Sequence, residues 1–327
     1  MTTPAPSASG AGHPRVGFLG PRGTFSEQAL LTQGDLANAE LLPLDAIPDV
    51  LVATTSGRVD QGLVPIENAI EGTVNVTMDM LAFEHELLIQ REIVIPVQMH
   101  LLVLPGTTLD EIKKVLSIPV ATAQCRRFLA GNLPGVVTEV AASTAQAAQI
   151  VAETGDPTIA AIANARAGEL HVLDTLVPDI EDHDDNETKF VIVAPAGIPA
   201  PTGHDKTTVV IFQHANRPGS LLAILQEFAA RAISLTKLES RPNPDRTWEY
   251  MFFIDFEGNI SDPAVAAGLA ELRSRALYLK VLGCYPSKAR PVEAHLTGVT
   301  GTPAGGTPVT PPSATPPTAP ARKRTGG

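Results

Sequence analysis

The sequence predicts an α/β protein of two folded blocks: a two-lobed block over 14–195 and a smaller βαββαβ block over 206–288. Three observations predict this. Short apolar runs alternate with helical patterns through the first block, as in a mainly parallel sheet covered by helices. LLIQREIVIPVQMHLLVLPG (87–106) stays extended for longer than one ordinary strand, as a chain passing from one lobe to another would. The second block reads strand, helix, strand, strand, helix, strand.

In the first block VGFL (16–19), GLVPI (62–66), VVTEV (136–140), IAAI (159–162) and FVIVAP (190–195) have the composition of buried strands. FSEQALLTQ, AIPDVLVATTSG, VNVTMDMLAFE, TAQCRRFLAG and STAQAAQIVAE space their apolar residues three and four apart, the helical period. The expected division is lobe one at 14–94 plus 180–195 and lobe two at 95–179, with a cleft between them. A Pro/Gly-rich linker, 196–205, follows. In the second block TTVVIF is a strand, and Leu221, Leu222, Ile224, Leu225, Phe228 and Ala229 mark one helix face after the turn NRPG. ISLTKLESR and YMFFIDFEG are strands joined by the turn PNPDRTW. DPAVAAGLAELRSRA is a helix with Pro263 in its first turn, and LYLKVLGCY closes the block as a strand. This order is the ferredoxin-like arrangement. Residues 1–13 and 289–327 are rich in Pro, Thr, Ala and Gly and cannot bury enough surface to offset chain entropy, so disorder is expected there.

Composition narrows the function. With 44% apolar and 18% charged residues, the chain has a real core. A net charge of −11 without a basic stripe before the far C-terminus argues against nucleic acid as a partner. No apolar run reaches membrane-spanning length, and the N-terminus lacks the basic start and apolar core of a signal peptide. Cys125 and Cys284 stand far apart, without a CxxC pattern, as buried thiols of a cytoplasmic protein do. No HExxH, EF-hand or GxSxG pattern is present, so neither a metal centre nor a serine hydrolase is expected.

The motifs point to a small anion. GPRGTFSE (20–27) follows a strand and opens a helix, with Thr24 and Glu27 at capping-box spacing. It lacks the Gly-Lys-Ser/Thr ending of a Walker loop and the GxGxxG dinucleotide spacing. Ser143 and Gln146 repeat the capping arrangement, and Thr122 is a candidate cap for the helix through AQCRRF. Three helix starts at the carboxyl edge of a sheet would supply partial positive charge to a carboxylated ligand. PIENAIEGTV (65–74) ends a strand with Asn68, placed either to meet a ligand or to bond its own turn.

Together, VGFLGPRGTFSEQA, GLVPIENAIEGTV, MHLLV, ATAQCRRFL, STAQAA and NETKFVIV resemble prephenate dehydratase, in order and spacing across the first block. NRPGSLLAILQEF and LESRP resemble the phenylalanine-binding ACT domain of that family, so the likeness spans about 14–286. The resemblance implies a two-lobed catalytic domain similar to type II periplasmic binding proteins. It also implies conversion of prephenate to phenylpyruvate with loss of carbon dioxide and water, using no metal or organic cofactor. TKF at 188–190 falls on the family's catalytic Thr-Arg-Phe, which implies catalytic roles for Thr188, Lys189 and Phe190. Thr24, Asn68, Gln124, Ser143 and Thr144 are the implied substrate-binding residues. Lys189, as the cation, is expected to grip a substrate carboxylate.

Four motifs depart from the family pattern, at five positions. Lys189 replaces Arg, a single mobile charge instead of a bidentate fork. SIPV (117–120) stands for Ser-His-Pro-Gln, Ala69 for a Ser or Thr, and Gly219-Ser220-Leu221 for Gly-Ala-Leu. The resemblance further implies that ACT domains pair side by side into a homodimer or homotetramer. Phenylalanine would bind at the seam between Asn216, Gly219, Ser220 and Leu221 of one subunit and Glu239, Ser240, Arg241 and Pro242 of the other. An arogenate dehydratase and a non-catalytic amino-acid sensor are the alternatives; retention of Thr188 argues against a decarboxylase that does not aromatise.

Overall fold

The computed structural model describes residues 13–36, 38–212, 218–242 and 250–287. The ends expected to be disordered, 1–13 and 289–327, lie outside these residues except for His13, as does all of the PNPDRTW turn but Pro242.

Lobe one begins with β1 (Arg15–Leu19), α1 (Phe25–Leu31), β2 (Glu40–Leu44), α2 (Ile47–Thr55), β3 (Gln61–Asn68), the two-residue β4 (Gly72–Thr73), α3 (Asn75–Phe83) and β5 (Leu88–Pro96). The chain then builds lobe two from β6 (His100–Val103), β7 (Lys114–Ser117), α4 (Pro119–Gln124), α5 (Arg126–Asn132), β8 (Val137–Val140), α6 (Thr144–Thr154), β9 (Ile159–Ala163), α7 (Ala165–His171) and β10 (Asp174–Val177). Strand β11 (Glu187–Ala194) returns to lobe one. The second block follows as β12 (Asp205–Phe212), α8 (Ser220–Ala229), β13 (Leu235–Pro242), β14 (Tyr250–Glu257), α9 (Pro263–Arg275) and β15 (Tyr278–Pro286).

The extended stretch 87–106 is two strands in two sheets. Its middle, Val97 to Met99, runs beside the returning segment 180–186: Val97 N donates to Asn186 O at 2.8 Å and Ile180 N to Met99 O at 2.8 Å. The lobe sheets, β2-β1-β3-β11-β5 and β10-β6-β9-β7-β8, are mixed rather than mainly parallel. β1 is parallel to β2 and β3, whereas β11, which brings the chain back from lobe two, is antiparallel to β3 and β5.

The lobe-one sheet has two buried faces. Phe18, Leu63, Ile93, Phe190 and Ile192 pack with α1 on one. On the other, Val64, Ile66, Val191 and Val193 share a single core with Val210, Phe212, Met251, Phe253, Leu282 and Tyr285 of the second block. That block is therefore not a separate bead. Its strands, ordered β13-β14-β12-β15, continue the lobe-one sheet, with β15 lying parallel to β5 where Gly283 meets Ile89. A Cβ on Gly283 would come within 2.6 Å of the Ile89 carbonyl oxygen, so the approach requires glycine. Beside this junction the buried Lys206 pairs with Glu92 of β5 and lies 3.7 Å from Asp255, whose carboxyl burial holds above its ordinary value. Helices α8 and α9 cover the remaining face, packing Ile224, Phe228, Leu269 and Leu272 on Ile211, Ile254 and Phe256.

Three local expectations are corrected. VVTEV forms β8, but as an edge strand whose residues Val137 to Val140 are exposed, not buried. The pattern TAQCRRFLAG forms two helices, broken at Cys125, not one. The first starts at Pro119, with Ile118 as its cap residue; Thr122 lies inside it and donates back to Ile118 O at 3.2 Å. A proline favours the first helical position, where its missing N–H costs nothing.

Candidate active site

A cavity of about 360 Å³ opens between the lobes. Thr24, Asn68, Gln124, Ser143, Thr144, Thr188 and Phe190 all line it. A larger hollow of about 510 Å³, on lobe two between α4, α5 and β8, contains none of them. Chemistry rather than size selects the interlobe cavity.

A bulge brings Asn68 to Thr188. Along β3 and β11, Phe190 pairs with Pro65 but Lys189 pairs with Glu67, leaving Ile66 as an extra residue. Strict alternation from Pro65, which lines the cavity, would turn Asn68 away from it; the inserted residue turns Asn68 back. The Asn68 amide is then fixed from both ends. Its Oδ1 accepts from Ile70 N at 3.0 Å and Glu71 N at 2.9 Å. Its Nδ2 donates to Thr188 Oγ1 at 2.9 Å and to Asn186 Oδ1 at 2.9 Å. The two backbone donors decide which end of the amide is oxygen. Thr188 is thus the acceptor in this contact, and its own O–H is left for the cavity.

Asn186 extends the chain of bonds by donating to Gln124 Oε1 at 3.3 Å. It is 2% exposed and was missed by sequence reasoning. The available signal was its place two residues before Thr188, on the same side of an extended segment.

Two helix starts are capped as their sequences predict. Ser143 Oγ accepts from Gln146 N at 3.0 Å, and Gln146 Oε1 from Ala142 N at 2.7 Å. Thr24 Oγ1 accepts from Glu27 N at 3.4 Å and donates to Leu19 O at 3.0 Å, while Glu27 Oε2 accepts from Gly23 N at 2.6 Å. Thr24 therefore sets the shape of its turn, its hydroxyl being already engaged. The start of α4 contributes Ile118, Val120 and Ala121 to the same lining. Among the described residues lining the cavity there is no Lys, Arg or His, and its charged members are Asp45 and Glu71. An anion held here relies on helix-start dipoles, hydroxyls and amides.

Lys189 does not line the cavity, a correction to its expected place in the site. As the strand neighbour of Thr188 and Phe190 it points to the opposite face, where its Nζ lies 3.4 Å from Glu67 Oε1. The other Glu67 oxygen meets Lys237 of β13 at 2.9 Å. Burial opposes the charge on Glu67, but Lys237 and then Lys189 outweigh it and hold the carboxyl below its ordinary value. Lys237 is raised in turn: burial opposes its charge, and its bond to Glu67 prevails. Cys125 is buried on α4's C-terminal side, and that burial, with Glu181 and Asp182 nearby, pushes its thiol up to about 12, which suits core packing rather than nucleophilic attack.

Of the residues expected at an effector seam, Asn216 lies outside the described residues. Gly219 caps α8 with φ +87°, a conformation other residues rarely adopt, and Ser220 and Leu221 open that helix. On β13 the expectation divides. Ser240 and Pro242 are exposed, whereas Glu239 accepts from Thr73 Oγ1 at 2.6 Å and Arg241 pairs with Asp79 at 2.9 Å. Strand alternation commits Glu239 and Arg241 to lobe one rather than to a partner subunit.

The chain matches the family model for prephenate dehydratase over residues 16–197 and that for the ACT domain over 208–273. It is 40% identical over 272 residues to the bifunctional chorismate mutase/prephenate dehydratase of Aquifex aeolicus (strain VF5), covering 83% of this chain and 73% of that one. It is 40% identical over 273 residues to the prephenate dehydratase of Amycolatopsis methanolica, covering 83% and 88%. The crystal structure of prephenate dehydratase from Arthrobacter aurescens in complex with L-Phe superposes with a TM-score of 0.78 at 37% identity, covering 84% of this chain and 90% of that one.

Proposed function

This chain belongs to the prephenate dehydratase family, and on that premise we propose how its interlobe cavity performs the reaction. The activity is the decarboxylating dehydration of prephenate to phenylpyruvate, a step of L-phenylalanine biosynthesis under feedback regulation. Prephenate needs no electron sink. The electrons of the breaking bond to the carboxylate enter the ring, the ring carbon–oxygen bond breaks, and the product is aromatic. The difficult event is departure of hydroxide.

Thr188 is the group we assign to that event. Its O–H donates to the leaving oxygen and passes it the proton as the ring carbon–oxygen bond breaks; the oxygen departs as water, and Thr188 regains a proton from solvent. Assistance of this kind is worth roughly 10²–10⁴-fold. Asn68, by donating to Thr188 Oγ1, keeps the Thr188 proton directed outward and polarises it. The starts of α1, α4 and α6 face the substrate carboxylates, and Phe190 gives the ring an apolar wall. The observation that carries the reading is the Asn68–Thr188 bond at 2.9 Å inside the cavity. Purified protein incubated with prephenate should yield phenylpyruvate, followed by its absorbance, with arogenate tested alongside. Product from arogenate alone would reassign the substrate; product from neither would leave an amino-acid sensor.

For regulation, we take Gly219, Ser220 and Leu221, together with Asn216, as the carboxylate side of a phenylalanine site, with Ser240 and Pro242 supplied by a second copy. Edge strand β13 and the exposed Leu222 and Leu238 support side-by-side pairing of ACT domains. We also place the enzyme in the cytoplasm. Among the described residues no helix is long and apolar enough to cross a membrane.

A further inference from the structure

Glu67 to Thr73 form a short hairpin in which Glu67 pairs with Thr73 and Asn68 with Gly72. One side of it belongs to the active site: Asn68 and Glu71 line the cavity. The other side belongs to the ACT domain. Glu67 Oε2 meets Lys237 Nζ at 2.9 Å, Lys237 also donates to Thr73 Oγ1 at 3.0 Å, and that hydroxyl donates to Glu239 Oε2 at 2.6 Å. Lys237 closes the ring at 3.4 Å from Glu239. Two residues further along β13, Arg241 reaches Asp79 in α3, the helix that leaves the hairpin. Successive inward side chains of one ACT strand thus hold successive parts of one catalytic segment.

The hairpin is also tied to the catalytic hydroxyl by two short routes. Glu67 precedes Asn68, which bonds Thr188, and Glu67 Oε1 holds Lys189, which follows Thr188. A single carboxylate therefore bridges the strand of Thr188 and the ACT strand, with two lysines competing for its position. We propose that this hairpin transmits regulation: Glu67 is a positioning residue for Asn68 and Thr188, and Lys237 with Glu239 is the handle by which a shift of β13 reaches it. The inference rests on the reading of the chain as a dehydratase whose ACT domain binds phenylalanine. Ser240, between Glu239 and Arg241 on the exposed side of β13, would feel the effector directly, and alternation converts its displacement into displacement of Glu239 and Arg241.

The test uses the full chain and the variant Lys237→Met, with Lys237→Arg as the charge-preserving control. Prephenate turnover is measured across a phenylalanine titration, and phenylalanine binding is measured separately by calorimetry. Lys237→Met should keep kcat without effector within about 2-fold and phenylalanine Kd within about 3-fold, yet need at least about 10-fold more phenylalanine for half-inhibition, as loss of an ordinary coupling energy requires. Lys237→Arg should restore inhibition. Thr73→Val, which removes only the hydroxyl between Lys237 and Glu239, should shift inhibition the same way and serves if Lys237→Met does not fold. A stably folded variant inhibited like the wild type overturns the coupling while leaving the effector site standing, and so does a variant that loses phenylalanine binding along with inhibition, since Lys237 would then be a ligand. A wild type that converts prephenate without binding phenylalanine overturns the effector reading itself and this inference with it.

Discussion

The two faces of β11 differ by one residue in sequence and by almost everything in chemistry. Thr188 and Phe190 face the cavity, where the Thr188 hydroxyl is held by neutral amides through short bonds of fixed geometry. Lys189 faces an ionic patch of Glu67, Lys237 and Glu239 joining lobe one to the ACT domain. Neutral bonds with two fixed ends define an atom's position closely, which suits a hydroxyl that must meet one leaving oxygen. Charged side chains on long stems attract over longer distances and tolerate displacement, which suits a joint that must move. The site and its control are the two sides of one strand.

Breaking the neutral face should have the largest effect. Thr188→Val removes the donor and keeps the shape; kcat should fall by about 10²–10⁴-fold, while stability falls by no more than about 1–3 kcal/mol, the cost of the acceptor that Asn68 Nδ2 also loses. A variant with near-normal kcat removes Thr188 from the chemistry. Asn186→Ala comes next, because it leaves the Asn68 amide short of a buried acceptor. It should lower kcat by about 10-fold and destabilise the fold by about 1–3 kcal/mol, read from urea unfolding. Equal kcat would show that Gln124 and Asn68 keep their places without it.

On the ionic face the effects should be smaller and of another kind. A carboxylate clamp would raise KM strongly when lost, but Lys189→Met should leave KM within about 2-fold because the ammonium faces away from the cavity. A tenfold rise in KM would return Lys189 to the substrate. The smallest effect is on stability against pH. The Glu67 carboxyl is depressed in the folded chain, so its pairing contributes fully above the ordinary value of 4.5 and is lost as pH falls through the lower folded value. The gap in urea midpoint between wild type and Glu67→Gln should be present at pH 7 and close below that ordinary value. A gap that persists in acid would mean that packing, not charge, sets it.

Much of this was legible in the sequence for local reasons. Thr24 with Glu27 and Ser143 with Gln146 announced their helix starts because capping is settled within four residues. The alternation of strands and helices announced the α/β class, and the long extended stretch 87–106 announced the two lobes. Lys189 could have been turned the right way by period-two alternation alone, once Thr188 was set facing the cavity; the family's catalytic triplet drew attention to the wrong property of that residue. The bulge at Ile66 was not legible, since it exists only in the register between two strands separated by over a hundred residues. Asn186 carried no sign of its burial because the lobe crossing that covers it is a tertiary event. Lys237 looked like an ordinary strand lysine until the strand's long-range neighbour was known.

The contact of β15 with β5 bears on how the protein can be cut. A chain ended before Asp205 would keep every residue of the catalytic cavity. It would also bare the β5 edge at Ile89, uncover Val64, Val191 and Val193, and leave Glu92 without Lys206. An open apolar edge is a template for pairing with other chains, so the shortened enzyme should precipitate rather than persist as a free-standing, unregulated catalyst. Heated intact, the two blocks should melt in one calorimetric transition, because neither possesses a complete interior of its own.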